Sequence, residues 1–144
     1  MKTDKILVFT CNWNAYYGLE SAGMNQQAYS PAVYPLKVMC LGRLGPGTIL
    51  KAFEQGASGV LLLGCPPGEC HYDFGNRRAE ETFALASDLI HVLGYSDNCL
   101  QMDRVAVDHA ETWVEKVRSF VEGLNKNELP PAERRFELGP SKEA

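Results

Sequence analysis

The stretch that most constrains this chain is Gly59 to Tyr72, GVLLLGCPPGECHY. Val60 to Leu63 are unbroken aliphatics, the pattern of a strand covered on both faces in a parallel sheet. Gly64, Pro66, Pro67 and Gly68 then forbid continuation as strand or helix. Cys65 and Cys70 therefore fall on a tight loop at the carboxyl end of a strand, where open α/β sheets place their ligands. Four residues separate the two thiols, a spacing that can bring both sulfurs to one metal centre and that occurs in plant-type ferredoxins.

The flanking sequence alternates strand and helix. Lys5 to Thr10 is a β-branched and aromatic run that delivers Cys11 at its end. Ala15 to about Gln27 follows as a helix with Ala15, Leu19 and Ala22 on one face, weakened by Gly18 and Gly23. Ser30 to Pro35 is a connection, and Leu36 to Met39 a short strand ending at Cys40. A glycine-dense turn, Leu41 to Gly47, leads into a helix to about Gln55, with Gly56 as its left-handed terminator.

After the central stretch, Asn76 to Leu93 carries Ala79, Phe83, Ala86, Ile90 and Leu93 as one buried stripe, and Gly94 ends that helix. Cys99 to Val105 is a fourth strand candidate. Asp108 and Glu111 resemble a cap for a last helix whose apolar face is Ala110, Trp113, Val114, Val117, Phe120, Val121 and Leu124, closed by Gly123 or Asn125. These elements predict an α/β fold of flavodoxin-like or Rossmann-like type, a three-layer sandwich with a parallel sheet of four or more strands. Residues 1–125 form one domain, and 126–144, polar and proline-containing, an extended or partner-ordered tail.

In a parallel sheet with right-handed crossovers, the residues that follow the strands gather on one edge. Cys11, Cys40 and Cys65 each follow a different strand, and Cys70 lies in the loop beyond Cys65. Cys99 precedes its strand and belongs at the opposite end. Four thiols thus converge on one centre. Zinc sites usually come as two close cysteine pairs, whereas only Cys65 and Cys70 are close in sequence here, so iron-sulfur is the better match. Arg43, His71, Arg77 and Arg78 neighbour the ligand candidates, and Gly42, Gly45, Gly64 and Gly68 let backbone amides approach sulfur.

Composition narrows the class. The formal charge of −4 argues against a nucleic-acid binder. The apolar run Ile6 to Phe9 is too short for a signal peptide, and no stretch is long enough to span a bilayer, so a cytoplasmic location is expected. Five cysteines in a reducing compartment point to metal or redox chemistry rather than structural disulfides. A thiol-disulfide oxidoreductase is disfavoured, because no C-x-x-C occurs.

The motifs CNWN (Cys11 to Asn14), VMCLGR (Val38 to Arg43), GASGVLLLGCPPGECHY (Gly56 to Tyr72) and GNRRA (Gly75 to Ala79) together resemble the delta subunit family of methyl-viologen-reducing hydrogenase. The resemblance covers roughly Ile6 to Val121. It implies an electron-transfer subunit with a 2Fe-2S cluster, working between a hydrogenase or formate dehydrogenase and the flavin subunit of a heterodisulfide reductase. The family commonly reads CNWC, and this chain has Asn14 where the last cysteine stands. The implied ligands here are Cys11, Cys40, Cys65 and Cys70. The alternative is a non-redox docking subunit whose cysteines bind zinc or are structural.

Overall fold

A computed structural model describes residues 5–12, 14–24, 26, 28–65, 75–105 and 110–126. Four strands, β1 (Ile6–Cys11), β2 (Val33–Val38), β3 (Gly59–Gly64) and β4 (Leu100–Arg104), form one parallel sheet in the order β2-β1-β3-β4. Helices α1 (Asn14–Met24), α2 (Pro46–Glu54), α3 (Gly75–Val92) and α4 (Ala110–Lys126) connect and flank them. Every residue of β3 is buried, which accounts for its unbroken aliphatic run. β2 lies at the sheet edge and pairs with β1 alone, so its outer residues Tyr34 and Leu36 remain exposed.

That edge position explains the first departure from expectation. β2 begins at Val33 and runs through Pro35 instead of starting after it. Proline lacks a ladder donor, which an edge strand tolerates because one side of it has no neighbour. As a result Cys40 sits two residues beyond β2, whereas Cys11 is the last residue of β1 and Cys65 directly follows β3.

α1 ends at Met24, before the expected Gln27, and Gln26 takes a left-handed turn with φ 55°. Gly18, expected to weaken α1, is where that helix packs against Trp113 of α4. A Cβ there would lie 3.1 Å from Trp113 Cβ and 3.3 Å from Val105 Cγ1. Trp113 is fully buried and meets Tyr29 edge-on, ring centroids 5.1 Å apart.

α3 buries Ala79, Ala86 and Ile90, with Phe83 partly covered. Leu93 is half exposed, because the helix stops at Val92 and the chain reverses through Gly94 at φ 98°. Gly56, at φ 106°, ends α2 as expected. α4 is not closed by Gly123 or Asn125 but continues to Lys126. Gly123 faces open space and costs only its helix propensity, about 1 kcal/mol, which burial of Phe120 and Leu124 on either side outweighs. The Asp108 cap and residues 127–144 lie outside the described residues. No helix among the described residues is long and apolar enough to cross a membrane.

Candidate metal centre

Because all four strands are parallel, their carboxyl ends share one edge. The chain leaves β1 towards β2 on one side and leaves β3 towards β4 on the other, so the strand order reverses between β1 and β3. Such a reversal opens a crevice between the two departing loops. The register pairs Thr10 with Leu63, which brings out Cys11 and Cys65 side by side at that crevice. Their sulfurs are 3.5 Å apart, and both side chains are buried. This separation is far longer than the roughly 2.05 Å of a disulfide. It is close to the roughly 3.8 Å edge of a tetrahedron built on metal-sulfur bonds of about 2.3 Å. The pair therefore has the spacing of two thiolates on one metal ion.

Cys40 lies on the same edge, buried, with extended backbone (φ −162°, ψ 139°) that caps a short 3-10 turn, Leu41–Arg43. Its sulfur accepts the Gly42 backbone N–H at 3.4 Å. A hydrogen bond of this kind, in a cluster ligand, raises the reduction potential. The expectation that glycine brings an amide to sulfur is met at Gly42. Gly64 instead lies within β3, where its carbonyl accepts the N–H of Val105 at 2.9 Å. Gly42 is also held against the start of α3: a Cβ there would meet Gly75 Cα at 2.8 Å and Gly75 O at 2.9 Å. Beside this contact opens a cavity of about 550 Å³ lined by Cys40, Arg43, Arg77, Arg78 and Glu81.

Cys99 sits at the opposite edge, in a 3-10 turn that leads into β4, whose first residue pairs with Val60 near the start of β3. It is buried, and its thiol lies 3.6 Å from Ser96 Oγ. Burial pushes the Cys99 thiol pKa up, and the hydrogen bonds from Ser96 oppose this more weakly. Its exclusion from the thiol edge is as expected. Cys70 and His71 lie outside the described residues. Among the described residues, no three His, Cys, Asp or Glu side chains are close enough together to hold a metal ion. The structure thus brings Cys11 and Cys65 together and places Cys40 on their edge, two residues past its strand.

The sequence matches the model of the family described as methyl-viologen-reducing hydrogenase, delta subunit, over residues 6–127. The chain belongs to that family. It is 38% identical over 107 residues to the iron-sulfur subunit of the vhc F420-non-reducing hydrogenase of Methanococcus voltae, covering 74% of each chain. It is 31% identical over 121 residues to the iron-sulfur subunit of the F420-non-reducing hydrogenase of Archaeoglobus profundus, covering 84% of this chain and 88% of that one. A third relative has a different layout. It is a chain of the ferredoxin/F420H2-dependent CoB-CoM heterodisulfide reductase of Methanosarcina acetivorans, and a 30% identical match covers 84% of this chain but only 15% of that protein. A unit of this family is thus a separate polypeptide in some relatives and a small part of a much longer chain in others.

The sequence alone did not show that Cys11 and Cys65 would meet: they are 54 positions apart, and their sulfurs come together across adjacent strands. The signal that could have found this was the apolarity of β1 and β3, which makes them the two central, adjacent strands.

Proposed function

We propose that the chain is an electron-transfer subunit that holds a 2Fe-2S cluster on Cys11, Cys40, Cys65 and Cys70. It passes single electrons between a hydrogenase or formate dehydrogenase type partner and a heterodisulfide-reductase-like flavin subunit. The observation that carries this reading is the 3.5 Å approach of Cys11 and Cys65 at the reversal of strand order, the spacing of two ligands on one iron. Cys40 and Cys70 would hold the other iron. Relatives named as iron-sulfur subunits support the cofactor class. The partner assignment is supported by the occurrence of the same unit both in a hydrogenase and within a heterodisulfide reductase chain.

When bound, the cluster supplies storage for one electron at a time. The protein's part is to fix the sulfurs, keep water away and set the potential. β1 and β3 fix Cys11 and Cys65 through the rigid centre of the sheet, and burial of Cys11, Cys40 and Cys65 excludes solvent from their sulfurs. The Gly42 N–H at the Cys40 sulfur favours added negative charge.

Anaerobic purification, iron and sulfide analysis, and EPR of the dithionite-reduced protein test the reading, with Cys65→Ser and Cys99→Ser beside the parent chain. A reduced 2Fe-2S signal that is lost in Cys65→Ser and kept in Cys99→Ser is the expected result. A colourless protein that stays free of iron after anaerobic reconstitution, or that holds zinc, would replace the relay with a docking role.

A further inference from the structure

We propose that the arginine rim of the Cys40 cavity is the docking face for an acidic protein surface that carries the partner's redox centre. This deepens the relay reading and rests on it. The chain is net acidic, with 14 lysines and arginines against 18 aspartates and glutamates. Even so, Arg43, Arg77 and Arg78 all line this one cavity, with Glu81 the acid among its described lining residues. All three arginines are exposed.

Their lack of an ion pair among the described residues sets them apart from several other cations near the sheet. Arg104 bridges to Glu80, Lys116 to Asp103 at 2.8 Å, and Lys37 sits 4.5 Å over the Tyr16 ring. Arg43, Arg77 and Arg78 make no ion pair among the described residues. Arg77 and Arg78 also occupy the first turn of α3, an 18-residue helix with no acidic residue in that turn. The positive end of the helix dipole favours anions there, so two cations at this position add to the local field instead of offsetting it. Like charges gathered at the wrong end of a helix oppose the stability of the free chain, and an external anionic surface relieves that opposition.

The rim is also rigid and close to the metal ligands. Gly42 abuts Gly75, fixing the turn that bears Arg43 against the helix that bears Arg77 and Arg78. Cys40, a proposed ligand, forms part of the same wall. A partner seated on the rim therefore stands over a cluster ligand. The charge is spread over two elements and lies open to solvent, which suits a broad acidic surface better than a small anion. The net charge of −4 repels a long polyanion beyond the rim, which disfavours nucleic acid.

The test compares the cluster-loaded chain with Arg43→Gln/Arg77→Gln/Arg78→Gln, using two reductants of opposite charge in stopped-flow mixing. A reduced acidic two-cluster ferredoxin stands in for the partner, and the methyl viologen radical cation is the small cationic donor. With ferredoxin, the parent rate falls at least about tenfold between 20 and 300 mM salt, and the triple variant is about tenfold slower at low salt with a flatter salt dependence. With the viologen cation, the triple variant is reduced faster, because repulsion has been removed. Equal slowing with both donors would make the arginines potential-setting groups and overturn the docking face, as would parent-like rates and salt slope in the variant. Binding of oxidised ferredoxin to the chain at 20 mM salt is measured alongside by titration calorimetry, and this reads the surface even if no cluster assembles. Absence of a cluster then refutes the relay alone. Ferredoxin binding that the variant loses supports the face, while no binding, or equally tight binding of a DNA oligonucleotide, refutes it.

Discussion

Substituting Gly42 with alanine puts a methyl group into the contact that joins the 3-10 turn to α3. Its Cβ would lie 2.8 Å from Gly75 Cα and 2.9 Å from Gly75 O, both nearer than real Cβ atoms come to backbone. Neither neighbour is the movable end of a side chain, so relief requires moving the turn or the start of α3. Overpacking of this kind costs about 1–3 kcal/mol. For a chain of this size that lowers the melting temperature by roughly 3–10 °C. The same movement lengthens the 3.4 Å bond from the Gly42 N–H to the Cys40 sulfur, so the cluster-loaded variant has a lower reduction potential. Gly45→Ala is the control, since a Cβ there meets nothing within 4 Å, and its expected melting temperature is that of the parent or slightly higher. Thermal unfolding by circular dichroism and an EPR-monitored redox titration measure the two effects. A Gly42→Ala chain that melts with the parent and keeps its potential would refute the rigid contact, and with it the preorganisation assigned to the arginine rim.

Other outcomes follow from the same geometry. Gly18→Ala improves helix propensity by about 1 kcal/mol but drives a methyl to 3.1 Å from Trp113 Cβ, so a net loss of about 1 kcal/mol is expected in urea unfolding; a gain would mean that α1 and α4 separate freely. Cys99 has its thiol pKa raised by burial, so its contribution to stability is fully present below the ordinary thiol pKa and is lost as pH rises through the folded value. The urea midpoint should therefore fall more between pH 8 and 10 for the parent than for Cys99→Ala, and parallel curves would count against it. Cys11→Ser should abolish the cluster signal as fully as Cys65→Ser, because the two sulfurs stand 3.5 Å apart; a cluster retained at parent occupancy in Cys11→Ser would move that ligand elsewhere.

The parts of this architecture legible in the sequence are those where one local signal dominates. The aliphatic run before Cys65 has the pattern of a doubly covered strand, and β3 is buried throughout. Gly56 and Gly94 marked helix ends that do take positive φ. The placement of Cys99 before its strand was enough to assign it to the far edge. What could not be read were features set by neighbours distant in sequence. Pro35 resembled a strand breaker until β2 proved to be an edge strand. Gly18 and Gly123 are both mid-helix glycines, yet one packs against Trp113 and the other faces open space, a difference that no local pattern encodes. The nearness of Cys11 to Cys65 is of the same type, since it follows from strand order and not from spacing along the chain.

That nearness also fixes when the site can exist. Cys11 and Cys65 are 54 positions apart, and only the pairing of β1 with β3 closes the gap. Long-range pairing of parallel strands costs loop-closure entropy before any contact rewards it, so it forms late in folding. During synthesis Cys11 emerges long before Cys65, and these two sulfurs meet only once the central strands have paired. On the proposed ligand set, iron delivery would therefore follow folding, and its carrier would meet a finished sheet rather than a growing polypeptide.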